Sequence, residues 1–319
     1  MASFLITGAA GFIGSNLATH LLEEGHTVVG LDNFSNGFKE NIEAIKSHPK
    51  AANFSFIEGD ITNFETCQTA CKGIDYVSHQ AALGSVPRSL KFPELYNEHN
   101  TTGTLNMMRA ARDANVKCFV YASSSSVYGD TPTLPKVETM TPNPKSPYAI
   151  SKLTTEHYGK VFWEAYGLPT IGLRYFNVFG PRQNPNSQYA AVIPKFITSF
   201  LEETAPVIHG DGEQTRDFTY ISNVVQANVK ACYASEEAFG EAYNIGCGGR
   251  ISIKALTEKI KVATHASVEP EYSETRAGDV RDSQADINKA KTLLKIEEFI
   301  DLEEGLQLTV DWYNENKTK

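Results

Sequence analysis

The chain has 319 residues and a net charge of −9, with 41% apolar and 21% charged residues. This acidic balance argues against a protein that binds nucleic acid or an anionic membrane, because such surfaces need basic patches. No run of about 18 apolar residues is present, so we expect no transmembrane helix. The N-terminus lacks the features of a signal peptide, and the five cysteines have no metal-ligand spacing. We therefore expect a cytoplasmic protein with reduced thiols and no metal.

Strand-like and helix-like segments alternate through the first half of the chain. The predicted strands are Ser3–Thr7, Thr27–Leu31, Phe54–Glu58, Ile74–Ser78, Cys118–Ala122 and Thr170–Arg174. The predicted helices include Phe12–Glu24, Pro93–Ala114 and Pro147–Tyr166. This alternation predicts an α/β fold with a doubly wound parallel sheet and helices on both of its faces.

Beyond residue 177 the pattern changes to short elements separated by clusters of proline and glycine. We predict a first domain over residues 1–176 and a smaller α/β substrate lobe over residues 177–319, with some of its segments returning to the first domain. Ligands of open parallel sheets bind at the carboxyl ends of the strands, so the lobe should close over that edge.

A glycine-rich loop lies between the first strand and the first helix, in the segment SFLITGAAGFIGSNL. Gly8, Gly11 and Gly14 permit a tight turn and a close approach of the backbone to a pyrophosphate. Phe12 and Ile13 lie in the same loop, where the N-terminus of the helix attracts the phosphate charge. The loop therefore predicts a dinucleotide site.

The ends of the next strands complete the predicted cofactor site. Asp32 can accept hydrogen bonds from both hydroxyls of the adenosine ribose and would repel a 2′-phosphate, which favours NAD over NADP. The alternative is an aspartate that only caps a turn. Asp60 and Ile61 are plausible contacts of the adenine. Ala81 and Ala82 leave room for the cofactor backbone.

Tyr148 and Lys152, in SPYAISK, are four residues apart and so share one helix face. An adjacent ammonium should lower the pKa of a phenol from about 10, so that it exchanges a proton more readily near neutral pH. Lys152 can also bind the nicotinamide ribose. A serine of SSSSVYG could hydrogen-bond the reacting hydroxyl, although chemistry alone does not say which one. An acid–base tyrosine beside a hydride carrier predicts redox chemistry at a carbon that bears a hydroxyl.

The glycine loop, SSSSVYG, the tyrosine–lysine pair and LRYFNVFGPR together resemble the extended short-chain dehydrogenase/reductases, over essentially the whole chain. HQAALGSVPRS, YAAVIPKF and GDGEQTRDFTYI resemble more closely the UDP-hexose 4-epimerases, particularly those acting on N-acetylated UDP-hexosamines. The resemblance implies a Rossmann-type fold, tightly bound NAD and C4 epimerisation through a transient 4-keto sugar. It also implies a homodimer, with a four-helix bundle formed by the helices predicted at Pro93–Ala114 and Pro147–Tyr166.

The resemblance also implies roles for individual residues, by matching motif positions. Tyr148 is the implied base, Lys152 its partner, and Ser124 the serine that bonds the sugar hydroxyl. Further implied cofactor contacts are Asn100 and Tyr175. Implied substrate contacts are Ser125, Ser126, Asn177, Val192, Arg216, Phe218, Arg276 and Asp279, in which the two arginines clamp the pyrophosphate. The alternative for either arginine is a surface salt bridge.

Two departures from the simpler epimerases bear on the substrate. Ser283 stands where the strict glucose/galactose enzymes carry a bulky tyrosine, and Gly84 and Ser85 replace a lysine-bearing segment. Small side chains open space for a 2-acetamido group without excluding plain sugars. The predicted substrate is UDP-GlcNAc or UDP-GalNAc, with UDP-Glc and UDP-Gal as open alternatives.

Three other functions remain alternatives. A UDP-uronic acid 4-epimerase, acting on UDP-GlcA or UDP-GlcNAcA, would need a cation for the C6 carboxylate, and Arg88 is one candidate. A nucleotide-sugar dehydratase or decarboxylase would need a carboxylate beside the serine, which SSSSVYG does not provide. A sensor that binds NAD without turnover would often have lost the tyrosine or the lysine.

Overall fold

The computed structural model describes residues 1–185, 191–274 and 281–316. Its strands are β1 (Ser3–Thr7), β2 (Thr27–Asp32), β3 (Phe54–Glu58), β4 (Tyr76–His79), β5 (Cys118–Ser124), β6 (Thr170–Tyr175), β7 (Val178–Phe179), β8 (Val207–His209), β9 (Thr215–Arg216), β10 (Thr219–Tyr220), β11 (Glu241–Ile245), β12 (Ile251–Ser252) and β13 (Glu271–Ser273). Its α-helices are α1 (Phe12–Glu23), α2 (Lys39–Lys46), α3 (Phe64–Ala70), α4 (Val86–Lys91), α5 (Pro93–Tyr96), α6 (Gly103–Asp113), α7 (Pro147–Tyr166), α8 (Val192–Leu201), α9 (Ile221–Cys232), α10 (Ile253–Thr264), α11 (Asn288–Leu294) and α12 (Leu302–Asn316).

In the described part of the chain, seven parallel strands form a central sheet in the order β11-β6-β5-β4-β1-β2-β3. β1 pairs with both β2 and β4, so the strand order reverses at β1. Such a reversal leaves a crevice at the carboxyl ends of the strands, where open α/β sheets bind their ligands. The predicted doubly wound α/β fold is confirmed.

Apolar side chains are buried on both faces of this sheet. Along β1, Phe4 and Ile6 join the core cluster that includes residues of α1 and α9, whereas Leu5 joins the cluster that includes residues of α3 and α6. Successive strand residues point to opposite faces, so a strand covered on both sides must be apolar throughout. This explains why Phe4, Leu5 and Ile6 of β1 are apolar without alternation.

The chain beyond residue 177 contributes to both parts of the molecule. β11 pairs with β6 at the edge of the central sheet, and α9 packs against β4, β5 and β6. The rest forms three two-stranded sheets, β7 with β10, β8 with β13 and β9 with β12, together with α8, α10 and α12. These short elements lie near the carboxyl ends of the central strands through β7, which follows β6 directly.

Several predicted elements differ from the structure by one or two residues at an end, and two differences have an identifiable local cause. The helix predicted over Pro93–Ala114 is interrupted by a π-helical turn at Asn97–Thr102. Apolar periodicity reports which face of a helix is buried and does not register such a local change of hydrogen bonding. The strand predicted from Ile74 begins at Tyr76, because the Ile74 N–H closes a turn onto the Cys71 carbonyl.

The helix α7 begins at a well-defined residue, and this fixes the register of its side chains. Ser146 caps its N-terminus by accepting a hydrogen bond from the Ala149 N–H at 3.2 Å, and Pro147 occupies its first turn. Gly167 ends the helix in the left-handed conformation, with φ +69°. Tyr148 and Lys152 therefore lie in the first two turns of α7.

Candidate active site

The glycine loop after β1 is packed backbone against backbone. Gly8 has φ +70°, a conformation that favours glycine. A Cβ on Gly14, in the first turn of α1, would lie 2.1 Å from the carbonyl oxygen of Gly8. A Cβ on Gly8 would lie 2.8 Å from the nitrogen of Ala81. Only glycine fits at both positions, and the resulting bare turn at the N-terminus of α1 is suited to the pyrophosphate of NAD.

Asp32 ends the strand β2 and is buried. Its Oδ2 accepts a hydrogen bond from the Ala10 N–H at 2.9 Å, and its Oδ1 accepts one from the Phe34 N–H at 2.7 Å. Burial raises the pKa of Asp32, while these backbone bonds oppose the rise. A carboxylate has about four acceptor sites, so Asp32 can fix its turn and still accept from ribose hydroxyls.

A cavity of about 930 Å³ lies at the point where the strand order reverses. Predicted contacts that line it are Gly8, Gly11, Phe12, Ile13, Gly14, Asp32, Ile61, Ala81, Ala82, Gly84 and Ser85. Arg88, the candidate for a uronate carboxylate, lines the same cavity. The volume lies at the upper end of the range of ligand sites, about 300–1,000 Å³, as a dinucleotide requires.

Asp60 and Asn100, two other predicted cofactor contacts, are not among the residues that line this cavity. Asp60 accepts a hydrogen bond from Asn33 Nδ2 at 2.7 Å, and Asn33 does line the cavity. The Asn100 amide is buried: it donates to the Leu83 carbonyl at 3.0 Å and to Ser151 Oγ at 3.1 Å, and accepts from the Leu83 N–H at 2.8 Å. Both side chains support the wall in this structure, and their direct contact with the cofactor stays a prediction.

Tyr175, at the end of β6, is likewise absent from that lining. Its hydroxyl donates to Gln80 Oε1 at 3.0 Å and accepts from Asn228 Nδ2 at 2.9 Å. Gln80 does line the cavity, so the tyrosine ties a cavity residue to the helix α9. Burial raises the pKa of Tyr175 and keeps its hydroxyl neutral.

Tyr148, Lys152 and Ser124 lie together where β5 meets α7. Lys152 is buried, and its Nζ donates to the Ala122 carbonyl at 2.8 Å. The same Nζ lies 6.0 Å from the centroid of the Tyr148 ring. Tyr148 hydrogen-bonds Ser124, and its ring meets the ring of Tyr96, a cavity residue, edge to face at 6.4 Å.

The sequence predicted that Lys152 lowers the pKa of Tyr148, and the structure gives a different result for both residues. Burial raises the pKa of Tyr148, and the hydrogen bond with Ser124 opposes the rise. Burial also lowers the pKa of Lys152 to about 8. The predicted lowering of the Tyr148 pKa by Lys152 is therefore wrong for this structure, because desolvation outweighs charge attraction and the ammonium bonds a carbonyl.

The four serines at the end of β5 and in the turn that follows it face different surroundings. Ser124 caps a 3-10 turn, where its Oγ accepts from the Ser126 N–H at 3.2 Å, and it also bonds Tyr148. Ser126 Oγ is buried without a hydrogen-bond partner among the described residues, which suits the predicted contact with a polar ligand. Ser125 lies in the same turn. Ser123 instead turns into the core and donates to Glu156.

A second cavity, of about 580 Å³, adjoins the first at Ala191. Four predicted substrate contacts line it: Asn177, Val192, Arg216 and Phe218. Ser283 lies beside it, since Asn177 Nδ2 is 3.3 Å from Ser283 Oγ. Arg276 and Asp279 lie outside the described residues. These five predicted substrate contacts are thus brought together next to the first cavity, whereas Ser124, Ser125 and Ser126 are among the lining residues of neither cavity.

Two further searches cover the described residues only. No helix within residues 1–185, 191–274 and 281–316 is long and apolar enough to cross a membrane. Within the same ranges, no group of three histidine, cysteine, aspartate or glutamate side chains is placed to hold a metal ion.

Comparison with known proteins bears directly on this site. Residues 4–246 match the NAD dependent epimerase/dehydratase family, a stretch that runs from β1 through the loop after β11. The chain belongs to this family. The family resemblance inferred from the motifs is therefore confirmed, and NAD is the cofactor.

Similar members of the NAD dependent epimerase/dehydratase family are 4-epimerases of UDP-sugars. A UDP-glucuronate 4-epimerase of Thermodesulfobacterium geofontis is 38% identical over 99% of this chain and 97% of its own. A UDP-glucose 4-epimerase of Mycolicibacterium smegmatis is 38% identical over 99% of both chains. A solved UDP-N-acetylglucosamine 4-epimerase of Methanobrevibacter ruminantium, in complex with UDP-N-acetylmuramic acid, is 38% identical over 99% of both chains, with a TM-score of 0.93. The identity is 38% to each of three enzymes that are named for different sugars. The comparison therefore does not identify the sugar that this chain binds.

Sequence reasoning missed a buried ion pair behind the serines at the end of β5. Arg174 of β6 donates to both carboxylate oxygens of Glu156 of α7, at 2.8 and 2.7 Å, and both side chains are buried. Arg174 also donates to the Tyr128 hydroxyl at 2.8 Å. The sequence did contain an indication of this pair, because Glu156 continues the four-residue spacing of Tyr148 and Lys152 on one helix face.

Proposed function

We propose that this protein catalyses NAD-dependent epimerisation of a UDP-hexose at C4, with UDP-GlcNAc and UDP-GalNAc as its preferred pair. The observation that supports this most directly is the hydrogen-bonded pair of Tyr148 and Ser124, with Lys152 beneath them, next to a cavity suited to NAD. Its similarity over the whole chain to UDP-sugar 4-epimerases supports the reaction class.

Each residue of the catalytic group has a distinct task in this reaction. Tyr148, once deprotonated, would accept the proton of the sugar 4-hydroxyl, and Ser124, which lies beside Tyr148, would hold that hydroxyl by a hydrogen bond of its own. NAD in the first cavity would supply the hydride acceptor for C4, and return of the hydride to the opposite face would leave the cofactor unchanged. Lys152, anchored on the Ala122 carbonyl, is proposed to hold the nicotinamide ribose.

The preference for N-acetylated sugars is proposed from the small side chains near the second cavity. Ser283 lies within hydrogen-bond distance of Asn177, so a bulky residue there would extend to the amide that is proposed to hold the substrate. Gly84 has no atom within 4 Å of a Cβ added to it, which leaves open space on the other wall. Volume of this kind admits a 2-acetamido group.

A uronic acid 4-epimerase is the second candidate, and one observation favours it. Arg88 lines the cofactor cavity close to Gly84 and Ser85, and its guanidinium forms no salt bridge with a carboxylate of the described residues. Its guanidinium could meet a C6 carboxylate in the bidentate manner that arginine favours. The similarity to a UDP-glucuronate 4-epimerase also supports it.

One experiment separates these substrates. The purified protein is incubated with UDP-GlcNAc, UDP-Glc or UDP-GlcA, each without added NAD, and the products are resolved as C4 epimers. We expect conversion of UDP-GlcNAc at the highest kcat/KM and slower conversion of UDP-Glc. Preferred conversion of UDP-GlcA would favour the second candidate. Absence of turnover with all three would reject the proposed reaction.

We also propose a homodimer, on the basis of apolar side chains exposed on the helices that pack around α7. Ile150 and Val161 lie eleven positions apart on one face of α7, and Leu90 and Phe92 lie at the end of the neighbouring helix α4. Large exposed apolar groups on adjoining helices are typical of a subunit interface. Light scattering should show a dimer that the double substitution Ile150→Glu and Val161→Glu converts to monomer, whereas a monomeric wild type would reject it.

A further inference from the structure

Asp217 is a buried carboxylate between two proposed substrate contacts, Arg216 and Phe218, in the segment QTRDF. It is 1% exposed. Among the described residues no lysine or arginine pairs with it, and backbone N–H groups hold its charge instead. Burying a carboxylate costs free energy unless hydrogen bonds compensate it. The groups that bond Asp217 therefore indicate which segments the carboxylate holds together.

Three N–H groups from two other segments converge on this carboxylate. Cys247 and Gly248, in the loop after β11, donate to Oδ1 and Oδ2 at 3.0 Å each. Ala285 donates to Oδ2 at 3.0 Å from the segment that carries Ser283. Successive N–H groups in a turn with a left-handed residue form a concave anion site, and Gly248 has φ +74°. Here the protein's own carboxylate fills that site.

The backbone of Asp217 holds a third segment. Its carbonyl accepts a hydrogen bond from Asn177 Nδ2 at 2.9 Å, and the same nitrogen lies 3.3 Å from Ser283 Oγ. Asn177 has φ +33°, in the positive range that asparagine adopts more readily than most residues other than glycine. The segments with Asn177, Arg216 and Ser283 therefore meet at one residue.

We propose that Asp217 is a positioning residue for the UDP portion of the substrate, whose carboxylate holds the walls of the second cavity in their binding geometry. This inference rests on the proposed function, because it assumes that the second cavity binds the nucleotide diphosphate. Asp217 acts through Arg216 and Phe218, which line the cavity, and is not itself part of the lining. Losing the carboxylate leaves buried N–H groups unpaired and lets the walls separate.

The first test is Asp217→Asn in the full chain loaded with NAD. The asparagine side chain would place an NH₂ group, which is a hydrogen-bond donor, against a backbone N–H group that needs an acceptor. We expect the Kd of UDP, measured by calorimetry, and the KM of the UDP-sugar to rise by roughly tenfold or more, with kcat changed less than about threefold. NAD content and the circular dichroism spectrum should be unchanged. A UDP affinity within about twofold of wild type, or an equal loss in kcat alone, would overturn the proposal.

A second variant tests the same contact from the other side and guards against misfolding of the first. A Cβ on Gly246 would lie 2.9 Å from Asp217 Oδ2 and 2.7 Å from Ala285 Cβ, so Gly246→Ala should push the carboxylate away and weaken UDP binding. Gly249, in the same loop, has no atom within 4 Å of an added Cβ. Gly249→Ala is therefore the matched control. Equal UDP affinity in both variants would contradict the positioning role.

The pH dependence of UDP binding gives an independent readout. Burial raises the pKa of Asp217 to about 6, so protonation between pH 7 and pH 5 weakens an acceptor that serves three N–H groups. We expect the Kd of UDP to rise as the pH falls through this range. The nearest titratable group, Cys247, has its pKa raised by burial to about 11 and stays neutral. Other charged or titratable groups on the packed segments and the cavity wall are Lys195, Glu202, His209, Arg216, Arg250, Arg281, Asp282 and Asp286, with Asp301 close to Cys247.

Two variants test whether Asp217 is the group that causes this pH dependence of the Kd. The terminal phosphate of UDP also titrates, at a pKa of about 6, and only this contribution should remain in Asp217→Asn. The Kd of that variant should therefore be high and change less with pH than that of the wild type, whereas His209→Gln should keep the full wild-type change. A pH dependence as steep in Asp217→Asn as in the wild type would overturn the assignment. UDP binding is measured without turnover, so a protein that binds UDP but epimerises no sugar rejects the proposed reaction and still tests Asp217. A protein that does not bind UDP rejects both.

Discussion

The cofactor side and the substrate side of this site are built in different ways. The cofactor cavity is lined mainly by the first 100 residues, and its key contact, between Gly14 and the Gly8 carbonyl, depends on residue type alone. The substrate cavity brings together Asn177, Arg216 and the neighbouring Ser283, which are far apart in the chain and are joined by hydrogen bonds. The shape of the cofactor cavity is fixed by close backbone packing within one motif. The shape of the second cavity is fixed by hydrogen bonds between segments that are distant in the chain.

This difference predicts where substitutions should act. On the cofactor side, a change should matter only where it blocks space or removes a contact. On the substrate side, a residue that touches no ligand can matter as much as one that does, because it holds distant segments together. The following variants sharpen or break that contrast, in order of decreasing expected effect.

The largest effect is expected from Tyr148→Phe, which removes the proposed proton acceptor. Loss of a general base lowers turnover by about 10²–10⁴-fold, and the phenyl ring keeps its packing against Tyr96. Epimer formation from each UDP-sugar is measured together with the NAD released on denaturation. NAD content should equal that of the wild type. Substantial residual turnover would remove Tyr148 from its role.

Glu156→Gln should give the largest loss of stability. The substitution leaves the Arg174 guanidinium buried without its counter-charge, which costs about 3–5 kcal/mol for a buried pair. Unfolding in urea measures the free energy. The matched control is Glu164→Gln, on the same helix, whose exposed partner Lys160 lies 3.7 Å away and whose loss should cost less than about 0.5 kcal/mol. Similar losses in both variants would show that burial does not decide the effect.

Gly14→Ala tests the steric basis of the cofactor side. Its Cβ would lie 2.1 Å from the carbonyl oxygen of Gly8, so the loop must shift away from the pyrophosphate position. We expect protein purified with less than about a tenth of the wild-type NAD, a loss of about 1.4 kcal/mol or more in binding. UDP affinity should stay within about twofold of the wild-type value. An unchanged NAD content would contradict the fit between this turn and the cofactor.

The sequence predicted the cofactor side more completely than the substrate side, for a physical reason. A glycine turn followed by an aspartate at a strand end is local, so spacing alone indicates its geometry, and Gly8, Gly14 and Asp32 line one cavity as expected. Asp217 and its partners are separated by about 30–70 residues, and no local pattern shows that Cys247 and Ala285 will meet it. The raised pKa of Tyr148 was missed because burial is a property of the fold.

The smallest predicted effect is a change of specificity, from Ser283→Tyr. A tyrosine at this position would occupy space beside Asn177, and would exclude a 2-acetamido group more strongly than a 2-hydroxyl. The expected fall in kcat/KM is about tenfold for UDP-GlcNAc, at the lower end of what one pocket contact supplies, with a smaller fall for UDP-Glc. Ser283→Ala is the matched control, because it removes the hydroxyl without adding volume, and it should change the ratio of the two substrates less than about threefold. Equal losses of both substrates in the tyrosine variant would mean that Ser283 supports the Asn177 contact instead of setting the space for the sugar. The substrate side would then be governed by its polar connections at this position as well, and sugar preference would have to be sought near Gly84 and Ser85, on the wall shared with the cofactor.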